Sequence, residues 1–159
     1  MRPIAFELLS KPLLFLHLAA AVTALASSVH LGLRLARAVR ATGEYLPQTR
    51  THASILAASY LAVFALGGLI YPAFRIRVRS DFMDAALPWA TGLFEIKELL
   101  ATTALLPVLG IFALSRAINP QDASHRQYLP IYFGLIAYVF CVLSFNAWCG
   151  WYLVTLRSI

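Results

Sequence analysis

The sequence predicts an all-α integral membrane protein, a four-transmembrane-helix bundle with both termini on the same side. Three observations predict it. Of 159 residues, 60% are hydrophobic and 13% charged, where a soluble domain carries about a quarter charged residues. The mean hydropathy is +0.74. Four apolar runs of about 20 residues succeed one another, each long enough to cross a bilayer as a helix. A chain this short and apolar cannot hide its surface in its own core, so lipid is its solvent. It reads as one membrane domain, residues 1–159.

The first span covers about residues 12–35. Its early basic residues, apolar middle and Ala24-Leu25-Ala26 before Ser27 have the outline of a signal peptide, but the run stays apolar past Ser28, so it is read as a retained span. The second covers about 52–71, the third about 88–114 and the fourth about 130–155. The connections ATGEYLPQTR, FRIRVRSDFMDAALPWA and SRAINPQDASHRQ carry the Pro, Gly and charges expected between helices. Pro107, inside the third span, cannot donate to the carbonyl of Thr103, so a kink is expected there. In FRIRVR, Phe74, Ile76 and Val78 alternate with Arg75, Arg77 and Arg79. Period two predicts an extended segment on the membrane surface, its arginines against lipid phosphates, or a docking edge for a partner. Ser80-Asp81 and Asp84 read as the start of a short interfacial helix before Pro88.

Four spans define two sides. Side A, where both termini are placed, holds Arg2, Lys11, Arg75, Arg77, Arg79, Lys97 and Arg157. Side B holds Arg34, Arg37, Arg40, Arg50, Arg116 and Arg126. Seven against six gives no orientation by the positive-inside rule. The net charge of +6 lies in connections that meet lipid phosphates, so it is no nucleic-acid footprint. Tyr128, Tyr132, Trp89, Trp148, Trp151 and Tyr152 read as aromatic belts. Cys141 and Cys149, about 12 Å apart along one helix, are too distant for a disulfide and read as free thiols. Small residues predict contact faces: Ala19, Ala20, Ala21, Ala24 and Ala26 in the first span; Ser54, Ala58, Ala62, Gly67 and Gly68 in the second.

Ionisable groups inside a span are costly and mark candidate sites. His30 lies about one turn from side B, on a polar stripe with Thr23, Ser27, Arg34 and Arg37 at helical spacing. His52 opens the second span from the same side. Two imidazoles at one depth on adjacent helices could hold a haem iron or another metal. Near side A, Glu95, Glu98 and Thr102 share a face, with His17 at similar depth on the first helix. That trio, His17, Glu95 and Glu98, could hold a metal or relay protons. Lys97 is placed on another face, free to snorkel outward. Asn146 and Ser144 read as interhelical hydrogen-bond groups, and His125 as solvated.

No CxxC, CxxCH, HExxH, GxSxG, P-loop or GxGxxG motif occurs, so the nucleophilic, thiol-redox and nucleotide enzymes those motifs mark find no footing. The layout resembles that of small four-helix membrane cytochromes b in its histidines on neighbouring spans and small residues at contacts. That likeness covers the first two spans and implies b-type haem. Two functions are therefore expected. The first is a non-catalytic subunit or scaffold of a larger membrane complex. The second is a redox subunit holding haem or a metal through intramembrane His and Glu. The expected partners are the bilayer and other membrane subunits or a second copy, with no nucleic acid. The expected location is multi-pass in a bacterial inner membrane.

Overall fold

The computed structural model describes residues 7–40, 46–119 and 122–156. They are helical almost throughout, and four helices are long and apolar enough to cross a membrane. After a 3-10 turn at Glu7–Leu9, α1 runs Ser10–Arg40, and α2 runs Leu46–Phe74. A π-helical segment, Arg75–Met83, continues α2 into the short α3, Asp84–Ala86. The third span is divided into α4, Pro88–Thr103, and α5, Leu105–Ala117. A 3-10 turn, Ala123–Tyr128, leads into α6, Leu129–Leu156.

Local chemistry explains several of these boundaries. Arg37 and Arg40 fall in the last turn of α1, where cations complement the helix dipole. Leu87 leaves helical geometry at φ −138°, ψ 64°, as expected of a residue before proline, and Pro88 then opens α4 in the position that tolerates it. Ahead of α6, Asp122 caps its 3-10 turn. Its carboxylate accepts from the Ser124 backbone N–H at 2.9 Å and the Ser124 hydroxyl at 2.7 Å, and these donors hold its carboxyl below the usual range. His125 is not simply solvated: its Nδ1 accepts from the Asn119 N–H at 3.0 Å and ties this connection together.

The segment FRIRVR is helical, which corrects the extended reading; Ser80 and Asp81 lie within the π segment, while Asp84 opens the short helix expected before Pro88. Pro72 cannot donate to the Gly68 carbonyl, and the winding widens just beyond it. The Asp84 N–H closes the segment on the Arg79 carbonyl, five residues back, the bonding pattern of a π-helix. The period of two was a coincidence of composition, since Val78 is fully buried while Ile76 is 44% exposed.

The third span is interrupted three residues before Pro107. The helix breaks at Ala104 and resumes as Val108 donates to the Ala104 carbonyl at 3.0 Å. Around the break, the Tyr60 hydroxyl on α2 donates to the Ala101 carbonyl at 2.6 Å. The hydroxyls of Thr103 and of Tyr138 on α6 lie 2.9 Å apart. Neighbouring hydroxyls thus bond where the helical ladder is interrupted, as a bilayer demands.

Around the bundle, α1 packs on α2 and α6, α5 packs on α2 and α6, and α4 packs on α6 and the π segment. One core, including Leu31, Leu35, Leu56, Tyr60, Ile111, Tyr132 and Val139, joins all four spans. Tyr132 belongs there and not to an aromatic belt. A second core, Val78, Met83, Ala90, Phe94 and Leu153, forms at the end where α2 meets the π segment. In it Phe74 stacks on Phe94 at 4.3 Å. Cys141 is exposed and Cys149 buried, both free.

Candidate functional site

The hairpin of α1 and α2 brings His30 and His52 together. Their ring centroids lie 5.5 Å apart, with 23° between the planes. His30 is exposed and His52 half-buried. Arg34, one turn beyond His30, donates to the side-chain oxygen of Gln48. Two atoms of this group, Arg34 Nε and His52 Nδ1, are buried and make no hydrogen bond among the described residues. Two imidazoles can supply both axial positions of a haem iron, whereas an all-protein metal site needs three or four ligands. Among the described residues, no three His, Cys, Asp or Glu gather to hold a metal ion.

Toward the other end, His17, Glu95 and Glu98 form no group that could hold a metal ion among the described residues. The His17 Nδ1–H donates to the Val63 carbonyl at 3.0 Å, since a carbonyl only accepts; its ring lies against Gly67 of α2. Glu95 is exposed and pairs with Arg79 at 2.5 Å. Arg79 also reaches Asp84 at 3.6 Å, and Asp84 accepts from Thr91 at 2.7 Å. Glu98 is half-buried, with no ion pair among the described residues.

Lys97 reverses the expected arrangement: it points into the bundle, and Glu95 points out. Lys97 Cε approaches Gly150 of α6, 3.9 Å from where a Cβ would stand, and Nζ lies 5.4 Å from the Phe94 ring centroid. Ala90, Phe94, Lys97, Ala101 and Ala104 recur at spacings of four and three, the inward stripe of this span. Reading that stripe from its apolar members would have placed Lys97 correctly. Asn146 bonds within its own helix, to the Val142 carbonyl at 2.8 Å, and among the described residues no interhelical bond of it is found.

A second pair escaped sequence reasoning. Arg50 and Arg116, far apart in sequence, meet at the seam of α2 and α5 on the histidine side of the bundle. Their charge was visible; that α2 and α5 are neighbours was not.

Against known proteins, no family model, curated protein or solved structure matches this chain.

Proposed function

We propose that this chain is a multi-pass membrane protein with both termini on one side, in a bacterial inner membrane, acting as a non-catalytic subunit of a larger membrane assembly. The observation that carries the reading is the outward face of α1. Of the five alanines expected at contacts in this helix, only Ala24 is fully buried within the chain. Ala19, Thr23 and Ala26 are exposed at spacings of four and three, a small-residue face that lets another helix approach closely in lipid. The Thr23 hydroxyl is turned back onto the Ala19 carbonyl at 2.8 Å, so it does not obstruct that approach. A photoreactive residue at position 26 is expected to give a discrete protein adduct in membranes, while one at Leu106, 76% exposed on α5, gives lipid adducts only. The complex isolated in mild detergent is expected to exceed one copy in mass, and Ala26→Leu to reduce it. Lipid adducts alone at both positions, with the mass of one copy, would overturn the proposal.

A second reading rests on one observation, the 5.5 Å approach of His30 and His52. In it the chain is a redox subunit, with b-type haem at that pair and with His17, Glu95 and Glu98 handling protons at the other end. It expects a Soret band that shifts on dithionite reduction and is lost in both His30→Ala and His52→Ala. An unchanged band in both variants, or a featureless spectrum with no bound metal, removes it.

A further inference from the structure

We propose that Arg50 and Arg116 form a clamp for the phosphodiester of an anionic phospholipid at the seam of α2 and α5. Arg50 lies near the start of α2 and Arg116 in the last turn of α5. Both are exposed. They bracket the apolar stretches of their spans, which places them at headgroup depth.

The clamp is preformed. The Arg116 guanidinium lies 3.5 Å from the Phe112 ring centroid. Its Nη1 donates to the Phe112 carbonyl at 3.1 Å and to the Ser115 hydroxyl at 3.3 Å. Its Nη2 crosses to α2 and donates to the Ser54 hydroxyl at 3.2 Å. Ser54 in turn donates to the Arg50 carbonyl at 2.7 Å. Arg50 Nη2 crosses the other way, to the Arg116 carbonyl at 3.4 Å. Each arginine is thus tethered to the other's helix.

Among the described residues, neither guanidinium has a carboxylate within ion-pair distance; the pairs found are those of Arg79 at the opposite end. Two like charges tethered across one seam repel, and an anion bound to both relieves the repulsion. A guanidinium fork suits the oxygens of a phosphate, and basic pockets between spanning helices are a recurrent site for lipid head groups.

The ground beneath the clamp favours a lipid over a free anion. On α2, Ser54, Ala58 and Leu61 continue from Arg50 at helical spacing. On α5, Ala113 and Leu109 lead up to Arg116 in the same way. Ala58, Leu61, Leu109 and Ala113 are all exposed. An acyl chain attached to the clamped phosphate therefore has an apolar strip on each helix to lie along.

The test is native mass spectrometry of the detergent-purified chain with added phosphatidylglycerol or phosphatidylcholine. The wild type is expected to retain phosphatidylglycerol on the order of tenfold more than phosphatidylcholine: both offer the phosphodiester, but the choline cation cancels its charge and repels the two guanidiniums. Arg50→Ala/Arg116→Ala should lose that preference. Arg116→Lys should lose part of it, since an ammonium keeps the charge but not the fork. Arg126→Ala, an exposed arginine on the same side but outside the seam, should keep it. If the double alanine variant loses helicity by far-ultraviolet circular dichroism, Arg116→Lys becomes the deciding comparison. Equal retention of the two lipids by the wild type, or undiminished preference in Arg116→Lys and the double variant, would overturn the proposal. Displacement of the lipid by inorganic phosphate would overturn the lipid assignment and leave a free-anion site.

Discussion

Gly67→Leu is expected to destabilise the pairing of α1 with α2 by about 1–3 kcal/mol, the usual scale of overpacking at a close contact. A Cβ at position 67 would stand 3.4 Å from His17 Cε1 and 3.7 Å from Nδ1. A methyl group fits at that distance, so Gly67→Ala should be near neutral, its small cost of contact offset by better helix propensity. The branched end of leucine does not fit. It drives the imidazole off the Val63 carbonyl, which its Nδ1–H now reaches at 3.0 Å, and leaves a polar ring without a partner inside a span. Unfolding in mixed micelles by added dodecyl sulfate measures the difference. His17→Ala combined with Gly67→Leu should recover part of the loss, because the two residues share one space and their effects are not additive. No recovery would mean that the His17 ring is not the obstacle.

How much of this molecule was legible in its sequence depends on what each feature requires. A spanning helix needs only length and apolar composition, so four of them could be counted without knowing how they pack. The interruption of the third span near Pro107 needed only a missing N–H. The approach of His30 to His52 needed only a short connection between antiparallel helices. What the pair would bind is not a property of spacing.

Features that depend on neighbours were harder to read. The angle of Lys97 from Glu98 turns it outward only if the carboxylates face in, whereas the stripe through Ala90, Phe94, Ala101 and Ala104 sets the inward direction. The Arg50–Arg116 pair joins residues of two spans, and nothing in the order of the spans says that α2 lies beside α5. The α1 alanines show the opposite limit: small residues announce a close contact but not whether the partner helix is in the same chain. Ala24 alone is fully buried within the chain, Ala20 and Ala21 are half-buried, and Ala19 and Ala26 are exposed.

The segment between α2 and α4 gives the sharpest contrast between pattern and structure, and it can be decided by two substitutions. In an extended strand Ile76 and Val78 point to one face, so aspartate at either position should do similar damage. In the π-helical segment they diverge. Val78 is fully buried against Met83, Ala90, Phe94 and Leu153, and Ile76 is 44% exposed. Val78→Asp is therefore expected to cost about 3 kcal/mol or more, because it places an unpaired carboxylate in an apolar cluster. Ile76→Asp should stay within about 0.5 kcal/mol, as surface changes do, and its neighbours Arg75 and Arg77 reduce any electrostatic penalty. Thermal unfolding in detergent, followed by helicity, reads both. Equal losses at the two positions would restore the extended segment and remove the second core. A loss confined to position 78 would mean that this core depends on the helix continuing past Phe74, and that the arginines of FRIRVR are fanned around a helix instead of ranked along one face of a strand. That distribution is why Arg79 can turn to Glu95 and Asp84 while Val78, one residue earlier, closes the interior.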